Sequence, residues 1–174
     1  FATFGFAEIK YLRTLNAAEQ GKDPHQRRIV EMQDCFVYEG HPCMVLECLH
    51  SNVYELLHAT RFQGLPLWLC RSFARQMFEM LQVLAKCHLV HGDIKPENLC
   101  LVSSARDTLR LVDFGSSFLS TETRFVEYIQ SRFYRAPEVV MKRIPFKESI
   151  DVWSVACCLF EMYTGKPLFP GANV

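Results

Sequence analysis

The sequence predicts an α+β fold for a chain of 174 residues, the size of about one domain. Short runs with strand character come in pairs, and two longer segments repeat apolar residues at helical spacing. Hydrophobic residues make up 49% and charged residues 22% of the chain, which argues against a disordered protein. Because the strand pairs and the helices are segregated along the chain, the α+β class fits best.

The first part of the chain is predicted to hold one helix and one hairpin. Apolar residues recur at helical spacing within residues 4–16. A polar loop follows, and residues 29–38 and 42–48 then form two strands joined by a Glu-Gly-His turn. We place a boundary after the second strand, between a strand-bearing part at 1–49 and a helical part at 50–174.

The middle of the chain alternates between helical and strand patterns. Asn52 is a candidate N-cap for a short helix over residues 53–60. The longest helical pattern covers residues 67–90. Two short apolar runs at 99–102 and 109–112 are predicted to pair as a second hairpin.

The last third combines an irregular segment with an apolar helix. Residues 115–148 are rich in charge and tyrosine and show no regular period. Ser149 is predicted to cap a helix over 150–164, and Gly165 and Pro167 stop it at the usual offsets.

Charge, hydropathy and cysteine usage limit the partners and the compartment. Lys+Arg and Asp+Glu both number 19, so the formal charge is zero and no nucleic-acid partner is predicted. No apolar run is long enough for a membrane span, and the N-terminus lacks a secretory layout. The eight cysteines include no C-x-x-C pair or zinc-type spacing, so we expect reduced, mostly buried thiols and an intracellular protein, cytoplasmic and/or nuclear.

Three motifs occur in a fixed order. They are His-Gly-Asp-Ile-Lys-Pro-Glu-Asn at 91–98, Asp-Phe-Gly at 113–115 and Ala-Pro-Glu at 136–138. Either tripeptide alone is more often a structural turn, whereas the first motif is more specific and the ordered set is decisive. The set resembles the catalytic loop, the metal-binding loop and the end of the activation segment of protein kinases.

The resemblance implies a protein-kinase-like two-lobe fold, incomplete in this chain. Residues 1–49 would be part of the small lobe, with helix C, two strands and the start of the hinge. Residues 50–174 would be the front half of the helical large lobe, with the catalytic loop, activation segment and helix F. The implied activity is transfer of the ATP γ-phosphate to Ser/Thr of protein substrates.

Phosphoryl transfer needs positioned metal ions, a placed hydroxyl and neutralised charge. By resemblance, Asp93 accepts the proton of the substrate hydroxyl and Lys95 faces the transferring phosphate. Asn98 and Asp113 would hold Mg²⁺, which prefers oxygen ligands. ATP and Mg²⁺ are therefore the implied cofactors.

The resemblance also assigns a nucleotide site. Glu8 stands at the place of the helix C glutamate that pairs with the ATP-binding lysine, although a solvated charge is the simpler reading of its position. Glu47 and Leu49 would belong to the hinge that contacts adenine through backbone groups. Asn52 would lie near the ribose, and Cys100 would form part of the adenine floor.

Two further residues are expected to support the catalytic loop. His91 is predicted to brace the loop rather than titrate. Asp151 resembles the helix F aspartate that anchors the loop backbone, and a carboxylate interacting with the helix dipole is compatible with that role.

The stretch Tyr-Ile-Gln-Ser-Arg-Phe-Tyr-Arg at 128–135, together with DFGSS, ECLHSNVYELL and PLFPGAN, resembles the dual-specificity tyrosine-regulated kinases (DYRK). That family implies autophosphorylation of Tyr128, and Arg132 and Arg135 could pair with the phosphate, although a solvated loop is the alternative. It also implies substrates with Arg before and Pro after the target residue. Glu97 is a candidate partner for that arginine.

The chain departs from the kinase pattern at several places. Gly92 replaces the usual arginine and is expected to loosen the backbone, and Phe118 stands where the family usually has cysteine. No glycine-rich loop or ATP-binding lysine precedes Glu8, and the arginine that normally pairs with Glu138 is absent. We therefore expect both glutamates to lack these partners and this stretch alone to be inactive.

Two alternatives come from other functional classes. A pseudokinase acting as a scaffold or binding module would carry the same motifs without catalysis. An unrelated α+β binding domain would carry them by chance, and its coordinates would place Asp93 and Asp113 far apart.

Overall fold

The structure is a computed structural model that describes residues 2–122, 129–142 and 145–171. Within these residues the helices are α1 (Ala2–Ala18), α2 (Val53–Ala59), α3 (Leu67–Lys86), α4 (Pro137–Val140) and α5 (Ser149–Thr164). The strands are β1 (Met32–Tyr38), β2 (His41–Leu46), β3 (Leu89–Val90), β4 (Leu99–Ser103), β5 (Arg106–Leu111) and β6 (Phe118–Leu119). The predicted α+β class is confirmed.

The strands form three separate antiparallel pairs, β1 with β2, β3 with β6 and β4 with β5. In the first pair Tyr38 lies opposite His41, so Glu39 and Gly40 form the turn. Both turn residues have positive φ, at 46° and 80°, which is the conformation that a two-residue hairpin with the right-handed strand twist needs. The predicted Glu-Gly-His hairpin is confirmed.

One hydrophobic cluster joins most of the described elements. It includes Leu12 and Leu15 of α1, Phe73 and Met77 of α3, and Met162 of α5. These side chains come from both sides of residue 49, so the cluster does not separate the two predicted parts. The division at residue 49 therefore stays a prediction. In a smaller cluster, Ile150 of α5 packs with Val90 of β3 and Phe118 of β6.

Several predicted boundaries are wrong, for local reasons. Helix α3 ends at Lys86 because His88 adopts a φ of 53°, which turns the chain into the short strand β3. The segment that was predicted to be irregular contains β6 and α4, which are too short to show a period. Glu148, and not Ser149, occupies the N-cap of α5, and the Ser149 hydroxyl donates to the Glu138 carboxylate instead.

Other terminal signals are confirmed. Asn52 and Glu55 form a capping box at the start of α2, in which each side chain accepts from the other's backbone N–H. Gly165 ends α5 in the left-handed conformation with a φ of 75°. All eight cysteines are free thiols, but the expectation of general burial is only partly right, because Cys48 is exposed. Among the described helices, none combines the length and apolarity that crossing a bilayer requires.

Candidate active site

The loop after β3 is anchored by a buried carboxylate on α5. The Asp151 side chain is 1% exposed and accepts hydrogen bonds from the backbone N–H groups of His91, at 2.6 Å, and Gly92, at 3.0 Å. Burial raises the pKa of Asp151, while the nearby His91 and the two N–H donors oppose that rise. The predicted anchoring contact is present, and it lies in the first turn of the helix, where the dipole also favours a carboxylate.

His91 connects this loop to the chain before Asp113. Its Nε2 lies 3.1 Å from the Val112 carbonyl, and its Nδ1 lies 3.2 Å from the Asp93 N–H. These two partners place the ring proton on Nε2, since a carbonyl only accepts and an N–H only donates. The ring also packs edge-on against Phe114 at 5.0 Å. His91 therefore has the geometry of a brace, as the sequence predicted.

Gly92 is closely surrounded in the loop, and the expectation that it loosens the backbone stays a prediction. Its φ is +76°, a conformation that non-glycine residues rarely adopt. Its N–H donates to Asp151 and its carbonyl accepts from the Gln130 N–H at 3.0 Å. A Cβ built on it would lie 2.8 Å from the Ile129 Cδ1 atom and 3.0 Å from the Ser116 carbonyl oxygen. The glycine is therefore required by the backbone conformation and by close packing.

The Asp93 carboxylate is oriented by two neighbours. Lys95 Nζ lies 2.6 Å from its Oδ2 atom, and the Ser131 hydroxyl and N–H donate to its Oδ1 atom at 2.7 Å and 3.0 Å. Lys95 also donates to the Ser131 hydroxyl at 3.3 Å. Burial alone would lower the pKa of Lys95, but the Asp93 carboxylate and other nearby acids raise it, so the lysine stays charged.

Asn98 lies between Asp93 and the segment before Asp113. Its side-chain Nδ2 donates to the Asp93 backbone carbonyl at 2.9 Å. Its backbone carbonyl accepts from the Val112 N–H at 3.1 Å. Since the side-chain nitrogen Nδ2 is engaged, the Oδ1 atom is the side-chain atom that remains to bind a metal ion. Asn98 thus connects Asp93 to the residue that precedes Asp113, and the joint metal-binding role of these residues stays a prediction.

Asp113 presents its carboxylate to solvent, and Phe114 next to it is 1% exposed. The Asp113 backbone has a φ of 64°, an uncommon value for a residue other than glycine and one that clusters at functional sites. Its Oδ1 atom accepts from the Gly115 N–H at 3.3 Å. This turn buries the phenylalanine ring and leaves the carboxylate outside.

The donor set fits Mg²⁺. The Asn98 amide oxygen and the Asp113 carboxylate are hard oxygen ligands. The described ranges contain no group of three His, Cys, Asp or Glu side chains arranged to hold a metal. Mg²⁺ commonly binds through one or two protein oxygens together with substrate phosphates, so these two residues would hold it together with a nucleotide.

Glu8 reaches the same place from α1. Its Oε1 atom accepts from the Phe114 N–H at 3.2 Å. Burial and the Asp113 charge raise the pKa of Glu8, and the hydrogen bond from Phe114 opposes this. Among the described residues, neither Glu8 nor Glu138 belongs to a salt bridge. A cation between Glu8 and Asp113 would relieve their repulsion.

The predicted hinge residue Glu47 contacts the residue before β1 and a residue of β5. The Glu47 N–H donates to the Glu31 carbonyl at 2.9 Å, so only its carbonyl is available to a ligand. Its carboxylate pairs with Arg110 at 3.0 Å. Leu49 is half-buried against the main hydrophobic cluster. The Glu47 side chain therefore has a structural role, the ion pair with Arg110, which the sequence did not predict.

Asn52 and Cys100 are neighbours across an isolated antiparallel bridge. The Asn52 Oδ1 atom caps α2, which leaves its NH₂ group to meet a ligand. Cys100 is half-buried, and burial followed by the charge of Glu55 raises the pKa of its thiol. Cys100 therefore presents a neutral, weakly polar surface.

Comparison with known proteins decides the family. The sequence profile described as "Protein kinase domain" matches residues 6–174. The chain belongs to the protein kinase family. It is 42% identical over 174 residues to "Dual specificity protein kinase YAK1" of Saccharomyces cerevisiae, covering 99% of this chain and 21% of that protein.

Two more relatives carry DYRK names. "Probable serine/threonine-protein kinase dyrk2" of Dictyostelium discoideum is 40% identical over 174 residues, covering 99% of this chain and 18% of that kinase. Human "Dual specificity tyrosine-phosphorylation-regulated kinase 4" is 39% identical over 162 residues, covering 93% of this chain and 31% of that kinase. The chain thus spans about a fifth to a third of these relatives, and the predicted resemblance to the DYRK family is confirmed.

Within this kinase chain, the activation segment is described only in part. Tyr128 lies outside the described residues, so its predicted pairing stays a prediction. Arg135 donates from Nε to the Ile129 carbonyl at 3.0 Å, and from Nη2 to the Gln130 carbonyl at 2.8 Å. Arg132 is exposed and lines a groove beside Lys95. The structure gives Arg135 a structural role beside the predicted regulatory one.

Ser131 and Gln130 contact the predicted site, directly or through each other, but the sequence did not predict them as site residues. The buried Gln130 side chain donates to the Ile150 carbonyl and the Ser154 hydroxyl, both at 2.8 Å, and accepts from the Ala136 N–H at 2.8 Å. It thereby fixes Ser131 next to Asp93. The sequence offered one signal, two adjacent polar residues before Ala-Pro-Glu, but their partners lie far away in the chain.

The groove beside Lys95, which Arg132 also lines, carries an acidic pair. It has a volume of about 480 Å³ and includes Glu97 and Glu161 in its lining. Glu161 is 3% exposed and accepts from the Tyr134 hydroxyl at 2.7 Å. Burial and the Glu97 charge raise the pKa of Glu161, although the Tyr134 hydrogen bond lowers it. A cationic side chain entering this groove would meet two carboxylates.

Proposed function

We propose that the protein containing this chain transfers the γ-phosphate of ATP to Ser/Thr hydroxyls of protein substrates. The observation that carries the proposal is the joint orientation of Asp93 by Lys95 and Ser131, with Asn98 connecting this group to the Asp113 segment. Such an arrangement positions a carboxylate beside a nucleotide–metal site, as phosphoryl transfer requires.

Each residue has a distinct role in this proposal. The Asp93 carboxylate accepts the hydrogen bond of the incoming hydroxyl and then its proton. Lys95 remains charged and stabilises negative charge on the transferring phosphate. Asn98 and Asp113 would hold Mg²⁺, which would supply positive charge to neutralise the phosphates. Glu8 would pair with the ATP-binding lysine that the kinase resemblance implies.

The adenosine part of the nucleotide is proposed to meet the hinge. The Glu47 carbonyl and the Leu49 backbone would contact adenine. Cys100 would pack below the ring, and the Asn52 NH₂ group would reach the ribose. The half-burial of Leu49 and Cys100 supports this assignment, since an apolar floor favours a planar base.

The substrate is proposed to carry an arginine before its target residue. Glu97 and Glu161 line the groove that begins at Lys95 and Ser131, so a guanidinium there would neutralise both carboxylates. A proline after the target residue and autophosphorylation of Tyr128 are proposed from the DYRK resemblance. A cytoplasmic and/or nuclear location is proposed from the free thiols.

The proposal is tested by phosphate transfer from labelled ATP with the full-length protein. The substrate set is a Ser/Thr peptide library in which arginine is moved through the positions before the target. We expect Asp93→Asn to lower kcat by about 10²–10⁴-fold. Asp34→Asn removes a carboxylate from an exposed position on β1 and serves as the matched control.

Two results would contradict the proposal. Equal transfer by wild type and Asp93→Asn would remove the aspartate from the chemistry. Nucleotide binding without transfer by the wild type would instead indicate a scaffold. Mass spectrometry of the wild type and the inactive variant tests the Tyr128 proposal, because autophosphorylation must disappear in Asp93→Asn.

A further inference from the structure

A buried arginine connects the predicted hinge to the strand that leads to Asp113. Arg110 belongs to β5 and is 3% exposed. Each nitrogen of its guanidinium group donates to a different residue: Nε to the Glu47 carboxylate at 3.0 Å, Nη1 to the Arg27 carbonyl at 2.5 Å and Nη2 to the Pro24 carbonyl at 2.6 Å. Arg110 therefore joins β5 to the hinge and to the loop between α1 and β1.

The Glu47 carboxylate also fixes the backbone around the hinge. The same Oε1 atom that pairs with Arg110 accepts from the Glu31 N–H at 2.9 Å, and the Glu47 N–H donates to the Glu31 carbonyl at 2.9 Å. Among the described residues, Glu47 is the one acid that forms a salt bridge with Arg110. The ion pair thus holds Glu47 against the residue that precedes β1.

The backbone of Arg110 lies beside the predicted adenine floor. Arg110 is opposite Cys100 in the pairing of β4 with β5, and Cys100 is also opposite Asn52 in an isolated bridge. The side chain of Arg110 therefore binds the hinge, while its backbone pairs with the residue proposed to pack below adenine. The separation between hinge and floor depends on this one residue.

The contacts of Arg110 are internal to the described chain. Because the side chain is almost fully buried, it has little surface left to contact other segments of the full-length protein. The Glu47 side chain is 17% exposed, so removal of Arg110 would leave a largely buried carboxylate without its cation. Loss of one partner of a buried pair is costly for this reason, and the pair resists displacement of the hinge.

We propose that Arg110 is a positioning residue for the nucleotide, which acts through the Glu47 carboxylate to hold the hinge at the distance from Cys100 that an adenine ring requires. This inference rests on the proposed function in one respect, the assignment of the hinge and Cys100 to adenine, and it requires no phosphate transfer. Arginine suits the role because its planar group presents donors in fixed directions and stays charged.

Calorimetric titration of the full-length protein with Mg²⁺ and a non-hydrolysable ATP analogue tests the proposal. We expect Arg110→Gln to weaken binding about tenfold, as the loss of a charged hydrogen bond would. Arg28→Gln is the matched control. Arg28 is also buried, pairs with Glu79 at 2.7 Å and donates to two carbonyls of the same loop, but none of its hydrogen bonds among the described residues reaches Glu47. We expect Arg28→Gln to lower the free energy of unfolding and to leave nucleotide affinity unchanged.

Combined variants separate an effect through Glu47 from a general loss of packing. Glu47→Gln removes the charge that Arg110 binds and is expected to weaken binding by itself, also where Arg110→Gln does not fold. Adding Arg110→Gln to Glu47→Gln is expected to cost less than about threefold more, whereas independent effects would multiply. Arg110→Lys keeps a charge within reach of Glu47 and is expected to restore most of the affinity.

Hydrogen exchange gives a readout that needs no nucleotide. The Glu47 N–H is protected by its contact with Glu31, which the ion pair supports. We expect mass spectrometry to detect faster exchange of the Glu47 amide in Arg110→Gln and unchanged exchange in Arg28→Gln.

Three results would overturn the proposal. The first is wild-type nucleotide affinity in Arg110→Gln, or losses that multiply in the double variant. The second is equal weakening by Arg28→Gln, which would reduce Arg110 to a contribution to general stability. The third is tighter nucleotide binding by Arg110→Gln, which would make the ion pair a restraint on the hinge. In each case a wild type that binds nucleotide and transfers phosphate leaves the proposed function intact, whereas a wild type that binds no nucleotide overturns both.

Discussion

At the scale of single residues, two backbone conformations mark the loops of the candidate site. Gly92 and Asp113 both have positive φ, at 76° and 64°, and both belong to the predicted catalytic and metal-binding loops. Glycine adopts this conformation freely, whereas an aspartate there is strained and is retained by its surroundings. The φ of Gly92 and the close approach of its neighbours therefore favour glycine at this position.

Gly92→Ala tests this requirement. The added methyl group meets Ile129 and the Ser116 carbonyl, and a left-handed conformation costs a non-glycine residue about 1–2 kcal/mol. We expect a loss of at least that size in the free energy of unfolding, measured with urea. Gly21→Ala is the matched control, because Gly21 has a φ of +84° but nothing within 4 Å of its Cβ position. Equal losses in the two variants would show that the clash does not matter.

Glu8 makes stability depend on pH. Its folded pKa is raised by burial and by Asp113, so the folded state binds the proton more tightly than the unfolded state. Its stabilising contribution is complete below the ordinary value of 4.5 and is lost as the pH rises through the raised value.

We expect Glu8→Gln to be more stable than the wild type at pH 7, with this advantage shrinking towards pH 4. Urea unfolding at both pH values measures it, and Glu39→Gln controls for the loss of an exposed negative charge. An advantage that grows towards acid pH would contradict the assigned direction of the shift.

At the scale of elements, helix α5 organises both loops of the active site. Asp151 holds the catalytic loop, while Ser154 binds the Gln130 side chain and donates to the Tyr134 carbonyl at 2.8 Å. The helix thereby fixes the distance between Asp93 and Ser131. Its apolar character was visible in the sequence, but the polar contacts on its inner side were not, except at Asp151.

Ser154→Ala is expected to affect substrate more than nucleotide. It removes one of the two acceptors of the Gln130 NH₂ group and the hydroxyl that donates to the Tyr134 carbonyl, at a cost of about 1–3 kcal/mol in stability. Because these residues position Ser131, we expect a higher KM for peptide and an unchanged KM for ATP in steady-state assays. Ser149→Ala, at an exposed position of the same helix, is the control. A change confined to the KM for ATP would refute this division of roles.

Helix α2 offers a separate test of Asn52. Asn52→Ala removes the cap and should cost about 1 kcal/mol, whereas Asn52→Asp keeps a good cap and loses only the NH₂ group. We expect both variants to raise the KM for ATP, while thermal unfolding detects a loss in the alanine variant alone. An Asn52→Asp protein with wild-type KM for ATP would restrict Asn52 to its capping role.

At the scale of the whole molecule, what the sequence could predict depended on how far apart the contacting residues lie. Caps and turns such as Asn52, Gly165 and the Glu39-Gly40 turn act through neighbours, so local patterns were sufficient. The joint role of Asp93, Asn98 and Asp113 was predicted by family resemblance alone and stays a prediction. Ser131 was missed because its contact with Asp93 spans 38 positions and leaves no periodic signal.

Asn98 and Asp113 are proposed to bind magnesium-bound nucleotide together, beside Asp93. The most direct measurement is calorimetric titration of the full-length kinase with a non-hydrolysable ATP analogue, with Mg²⁺ and with chelator. We expect Mg²⁺ to tighten binding in the wild type and in Asp93→Asn, and this gain to disappear in Asp113→Asn and to shrink in Asn98→Ala. A Mg²⁺-dependent gain in affinity that persists unchanged in Asp113→Asn would show that the Asp113 carboxylate does not hold the metal.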